Sequence, residues 1–131
     1  MTKPLNHILC VDDEEDILEV AKIALEAVGG FQVSICKGGK EALARAPELK
    51  PDMILLDVMM PGLDGPATYG QLKLNPSLKN VPVAFMTAKV QPKEVSSYID
   101  IGAIGVIVKP FDPMRLADDI RALWNAFDKE A

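Results

Sequence analysis

The chain has 131 residues, 49% of them hydrophobic and 25% charged, the size and balance of one globular domain with a core of its own. A formal net charge of −5 and a pI near 4.8 exclude the basic footprint that direct nucleic-acid binding needs. No apolar run approaches the ~20 residues that cross a bilayer, residues 1–6 lead into no signal-peptide core, and Cys10 and Cys36 lack any CxxC or Cys/His spacing. The expectation is one cytoplasmic domain over 1–131, core about 6–127, with two reduced, buried cysteines and no membrane contact.

Strand-like and helix-like segments alternate along the chain. Residues 8–11 form a short apolar run that ends in Asp12 and Asp13, a buried strand. Ile17, Val20, Ala21, Ala24, Leu25 and Val28 then recur at helical spacing, behind Glu14, Glu15 and Asp16, which suit a helix N-terminus; Gly29 and Gly30 stop the helix. A second strand is predicted over 31–36. Gly38 and Gly39 break the chain before a short helix over 40–46, ended by Pro47. A third strand over 53–56 terminates in Asp57. A loop, MMPGLDGP, follows, with Asp64 placed to cap the next helix and Pro66 in its first turn. That helix carries Tyr69 and Leu72 and is weakened by Gly70.

A fourth strand over 81–86 ends at Thr87, and a helix over 92–101 carries Val95, Tyr98 and Ile99 on one side before Gly102. The fifth strand, 104–108, ends at Lys109 and Pro110. Asp112 and Pro113 open the last helix, with Leu116, Ile120, Leu123 and Phe127 on one face, Trp124 on its flank, and a frayed tail after Phe127. Five strands alternating with five helices predict an α/β domain with a parallel sheet covered on both faces.

The polar residues fall where such a sheet binds ligands, at the carboxyl ends of its strands. Asp12 and Asp13 end the first strand, Asp57 the third, Thr87 the fourth and Lys109 the fifth, so three carboxylates, one hydroxyl and one ammonium converge on one rim. Any one of the three aspartates alone is more simply a cap or a turn former, and Thr87 or Lys109 alone is an ordinary surface or terminal residue. The five together at successive strand ends are much harder to obtain by accident. Clustered carboxylates repel one another, and a hard divalent cation relieves the repulsion; oxygen ligands without His or Cys suit Mg²⁺. Metal and lysine together suit phosphoryl transfer, with a carboxylate as nucleophile. Asp57, alone at the end of the central strand, is the best nucleophile; Asp12 and Asp13 share a corner and read as metal ligands.

VDDEED, LLDVMMPGLDG, FMTAK and VKPF, in that order and at those separations, resemble the signatures of response-regulator receiver domains over roughly residues 6–127. The chain is similar to the single-domain chemotaxis-type regulators of that family. The resemblance implies a flavodoxin-like (βα)₅ fold, strand order 2-1-3-4-5, and a phosphoryl group received on Asp57 from a histidine kinase or His phosphotransfer protein. It implies that Asp13, Asp57 and the Met59 backbone carbonyl hold Mg²⁺, with Asp12 acting mainly through a metal-bound water. Thr87 would bond a phosphoryl oxygen, Lys109 would pair with the phosphoryl group, and the Lys109–Pro110 peptide would be cis. Movement of Thr87 would pull the 88–91 loop, starting at Ala88, and change the face made by helix four, strand five and helix five.

One departure stands out. The family usually carries Tyr or Phe three residues before the lysine, where this chain has Val106, and its acidic pair upstream is replaced by Ile104 and Gly105. Ile104, Val106 and Trp124 could then form an apolar patch for a downstream protein partner or a second copy; the plainer reading packs Val106 under helix four and Trp124 over its own core. With Met1 at its start, the chain reads as a stand-alone receiver. The alternatives are a receiver excised from a hybrid kinase or transcription regulator, or a Mg²⁺-dependent phosphohydrolase with an aspartyl nucleophile. A haloacid-dehalogenase-type enzyme would need an acid where Met59 stands, so the chain is expected to be a switch with at most slow self-phosphorylation and slow autodephosphorylation. A flavin module on the same fold is excluded by DDEED, which would repel a flavin phosphate.

Overall fold

The three most apolar strands occupy the centre of the sheet, where both faces are covered. In the computed structural model, which describes residues 3–130, β1 (His7–Val11), β3 (Met53–Asp57) and β4 (Val83–Thr87) are buried along their whole lengths. The edge strands β2 (Gln32–Cys36) and β5 (Gly105–Val108) are only partly buried. All pairings are parallel, in the order β2-β1-β3-β4-β5, as expected for the flavodoxin-like arrangement. Met1, Thr2 and Ala131, part of the expected 1–131 domain, lie outside the described residues.

Alternation along each strand splits the core in two. Ile8, Cys10, Met53, Leu55, Ala84, Met86 and Ile107 point to the side covered by α1 (Glu15–Ile23) and α5 (Leu116–Glu130). Leu9, Val11, Ile54, Leu56, Val83 and Phe85 point to the side covered by α2 (Gly39–Leu49), α3 (Gly65–Leu72) and α4 (Pro92–Ile101). Cys10 and Cys36 are buried free thiols in different halves of the core, and burial pushes the Cys10 thiol up to about 12 and that of Cys36 to about 11.

Several local expectations are corrected. Pro47 does not end α2, which runs on to Leu49. So close to the end, the missing amide removes one backbone hydrogen bond, and the turn closes at left-handed Lys50 (φ 50°), whose N–H donates to Ala46 O at 3.1 Å. β4 starts at Val83 because the Val81 N–H is spent on Leu78 O in the preceding turn and Pro82 has none. Val20 and Val28 are exposed; the buried stripe is Leu18 and Ala21 of α1, then Ala24 and Leu25 of the π-helical turn, Ala24–Val28, into which α1 continues and which carries Val28 off the stripe. Asp112 opens a turn instead of α5 itself: its carboxylate accepts from Met114 N at 2.9 Å and its carbonyl from Leu116 N at 3.0 Å, where the helix begins. The residues after Phe127 stay helical to Glu130, and Asp128 accepts the Lys3 N–H at 2.8 Å.

Candidate functional site

Asp12 continues the alternation of Ile8 and Cys10, Asp57 that of Met53 and Leu55, and Lys109 that of Ile107, so the three charged groups project on one side of the sheet end. Asp12 is fully buried; its N–H donates to Cys36 O at 3.1 Å, and its Oδ1 accepts from Glu14 N at 2.9 Å, which starts α1. Asp57 is 2% exposed. Its position is fixed by α3, whose first residue presses on it: a Cβ on Gly65 would lie 2.5 Å from Asp57 O and 2.8 Å from Val58 Cα. Only glycine fits, and its N–H donates to Val58 O at 2.9 Å. Asp64 caps the helix as expected, accepting from Ala67 N at 2.9 Å.

Lys109 Nζ sits 2.7 Å from Asp12 Oδ2 and 3.1 Å from Asp57 Oδ1. The contact with Asp12 is an ion pair without hydrogen-bond alignment, and both Asp12 Oδ2 and Asp57 Oδ2 are buried without a hydrogen-bond partner. Two buried carboxylates thus share one ammonium, an under-compensated charge. Exposed Asp13 adds a third: one ligand oxygen each from Asp12, Asp13 and Asp57 lie within 4.8 Å of one another. Orphaned buried carboxylate oxygen beside an all-oxygen donor set fits a hard divalent cation. Burial, with the charges of Asp12 and Asp13, pushes the Asp57 carboxyl up to about 6 despite the Lys109 ammonium beside it. Burial also works against the Lys109 ammonium, but its contacts with Asp12 and Asp57 outweigh this and raise it.

Thr87, 2% exposed, ends β4 on the α3/α4 side, the side of Phe85. The Lys109 N–H donates to Thr87 O at 2.9 Å, tying the two strand ends together, and Thr87 Oγ1 accepts from Lys89 N at 3.0 Å, holding the loop in which Ala88 is exposed. The structure therefore brings together the carboxylates of Asp12, Asp13 and Asp57 and the Lys109 ammonium, and ties the Thr87 main chain to that of Lys109. Lys109–Pro110 is cis, and the Met59 side chain is 64% exposed beside the site. Sequence reasoning missed Glu14, whose carboxylate lies 3.5 Å from Lys109. Its signal in the sequence is the third acid of VDDEED, which on spacing alone reads as a helix-terminus charge.

The apolar patch is not formed as expected. Trp124 is 5% exposed, its indole N–H donates to Lys3 O at 2.9 Å, and its ring lies in the core between sheet and α5. Ile104 packs against that same half of the core, whereas Val106 packs against the other. With Trp124 buried and Ile104 and Val106 half-buried, the three do not make one exposed patch.

Residues 8–121 match the family model described as the response regulator receiver domain. The DNA-binding response regulator MtrA of Mycobacterium tuberculosis is 35% identical over 124 residues, 95% of this chain and 53% of the relative. The alkaline phosphatase synthesis transcriptional regulatory protein PhoP of Bacillus subtilis is 36% identical over 116 residues, 88% of this chain and 47% of the relative. The chain spans about half the length of these curated relatives. Among solved structures, Vibrio cholerae chemotaxis protein CheY4 superposes with a TM-score of 0.84 at 28% identity, covering 92% of this chain and 99% of that one. The receiver domain of a Syntrophus aciditrophicus signal transduction histidine kinase gives 0.78 at 33% identity, covering 92% and 91%.

Proposed function

The chain belongs to the response regulator receiver domain family, and on that premise we propose that Asp57 is its phosphoacceptor. It is the receiver of a two-component response regulator, a signalling switch. In our reading an Asp57 carboxylate oxygen attacks the phosphorus of a phosphohistidine on a sensor kinase or phosphotransfer protein. A P–O bond forms, the P–N bond breaks, and the leaving imidazole takes a proton. The observation that carries the assignment is Asp57 Oδ2, a buried carboxylate oxygen with no partner, while Oδ1 is engaged by Lys109.

Asp13, Asp57 and the Met59 carbonyl would hold Mg²⁺, with Asp12 contributing through a bound water; the cation supplies charge neutralisation for the incoming phosphoryl oxygens. Lys109 neutralises the same oxygens from the other side, and the Thr87 hydroxyl donates to one of them. Both buried carboxylates need compensation before a dianionic group can be seated, which is why the site calls for metal and lysine together. Met59 and Lys89 flank the route of a hydrolysing water and tune the lifetime of the acyl phosphate; self-phosphorylation from small donors and autodephosphorylation are slow. The setting is the cytoplasm, and among the described residues no helix is long and apolar enough to cross a membrane.

Phosphorylation switches the face of α4, β5 and α5 toward a downstream protein partner or a second copy. With Trp124 buried, the exposed apolar residues of that face are Ile99 and Ile101 on α4 and Val108 on β5. Sedimentation with and without a phosphoryl mimic tests the self-association version, which a monomer at high concentration in both states would remove. A second setting is favoured by the length of the relatives: residues 6–127 as the receiver core of a longer DNA-binding regulator, the same face acting on an attached domain. The decisive experiment is intact mass after incubation with acetyl phosphate, with and without Mg²⁺, on wild type and Asp57→Asn. One added phosphoryl group that requires both Mg²⁺ and Asp57 supports the assignment; no adduct even from a phosphorylated histidine kinase overturns it.

A further inference from the structure

Helix α4 is fastened to the sheet by one ring. Its single buried residue is Tyr98, 8% exposed, while Ile99 and Ile101 face solvent. The Tyr98 ring lies on Phe85 of β4, centroids 5.3 Å apart at 54°, and Phe85 is in turn 5.9 Å from Tyr69 of α3. Phe85 is paired across the β4–β5 ladder with Val106, and Phe85, Tyr98 and Val106 belong to the same half of the core. Val106 is short and stiff at χ1, so it can neither fill the space above Phe85 nor swing out of it. The ring that packs on Phe85 comes from α4. Among the described residues the Tyr98 hydroxyl has no hydrogen-bond partner, and it is not a buried orphan, so it reaches the surface and no polar tie there locks the ring.

The same helix is tied to the site at its other end. Thr87 lies two residues beyond Phe85 on the same face of β4, and its Oγ1 holds Lys89 N at 3.0 Å, at the start of the loop that leads to Pro92. A Thr87 hydroxyl that turns toward a phosphoryl oxygen withdraws this acceptor from the loop, and the loop can move only with α4. We propose that Tyr98 is the coupling residue of this switch: its ring, seated on Phe85 over Val106, is what slides or reseats when Thr87 turns, and no residue of β5 takes that part. This rests on Asp57 as phosphoacceptor and adds to it the path by which α4 responds.

Fluorine NMR of protein labelled with 3-fluorotyrosine tests the proposal, because the protein has two tyrosines, Tyr69 and Tyr98, and the phosphoryl mimic beryllofluoride carries its own fluorine signal. Tyr98→Phe assigns the resonances. The expected result is a bound beryllofluoride signal dependent on Mg²⁺ and Asp57, with the Tyr98 resonance shifted or split by more than that of Tyr69. A bound signal with Tyr98 unmoved, or moved no more than Tyr69, overturns the coupling and leaves the phosphoacceptor standing. No bound signal overturns both. A thermal double-mutant cycle checks the shared space independently: Val106→Tyr and Tyr98→Ala each lower the melting temperature, and the double variant loses less than the sum of the two. Strictly additive losses would show that the two side chains do not compete for one space.

Discussion

Asp57→Asn is expected to stabilise the magnesium-free protein at neutral pH, although it removes the residue on which the proposed chemistry depends. Burial holds the Asp57 carboxyl at about 6 against an ordinary aspartate value of 3.8. A carboxyl with a raised folded value prefers to be neutral. Relative to a neutral isostere, the wild type therefore has its full stability below the unfolded value and loses it as pH rises through about 6. At ~1.36 kcal/mol per pKa unit, the gap between wild type and variant is below ~1 kcal/mol near pH 4 and reaches ~3 kcal/mol near pH 7.5. Asparagine keeps the shape, and Lys109 is not orphaned, because Asp12 at 2.7 Å and Glu14 at 3.5 Å still face it. In a domain of this size ~3 kcal/mol is roughly 10 °C in melting temperature. Urea titrations in EDTA at both pH values measure the gap directly. Added Mg²⁺ should then close it, since only the wild type retains the full ligand set and gains stability by binding. A variant less stable than wild type near pH 7.5 without Mg²⁺, or a gap that does not change with pH, would refute this account of the buried charge.

Four other substitutions probe the site and the scaffold around it. Gly65→Ala would place a methyl 2.5 Å from Asp57 O, a backbone atom that cannot step aside, so a loss of ~1–3 kcal/mol in urea titration is expected together with weaker phosphorylation by intact mass. Gly105→Ala is the control: its methyl meets the end of Leu123, a side chain that can rotate, and it should cost less and leave phosphorylation intact. Asp64→Ala removes the cap of α3 and should cost ~1 kcal/mol with no change in Mg²⁺ affinity, measured by titration calorimetry. Met59→Asn replaces an exposed thioether with an amide that can hold a water, and the lifetime of the acyl phosphate, followed by mass against time, should shorten several-fold; an unchanged lifetime counts against a role for residue 59.

Period and punctuation made most of the fold legible. The apolar runs of β1, β3 and β4 are unmistakable because a central parallel strand is buried on both faces, and each ends at a polar residue that the sheet then delivers to one rim. What could not be read depends on geometry that spacing does not encode. A helical stripe assumes 3.6 residues per turn, and the π turn at Ala24–Val28 departs from that, which is why Val28 points outward. Helical spacing puts Trp124 on the flank of the face made by Leu116, Ile120, Leu123 and Phe127, yet the indole N–H finds a carbonyl at Lys3, far away in sequence, and the ring goes inside. Tyr98 was visible only as one apolar residue of three. Nothing in the sequence alone says that α4 has no other buried residue or that its ring rests on Phe85.

The shortage of positive charge at the rim also decides which part of the molecule yields in the proposed switch. In the resting structure one ammonium serves Asp12, Asp57 and Glu14, at 2.7, 3.1 and 3.5 Å. A phosphoryl group on Asp57 exchanges a single negative charge for nearly two and draws Lys109 toward itself. The Lys109 main chain cannot follow freely, because its N–H is bonded to Thr87 O and its strand is laddered to β4 from Gly105 to Val108. The Thr87 hydroxyl is restrained by a single bond to the Lys89 amide, and beyond that amide lie an exposed loop and a helix with one buried residue. The ladder resists and the loop gives. A receiver built this way needs no ring on β5: the weakest tie in the path already leads to α4, and Tyr98 is where that tie meets the core.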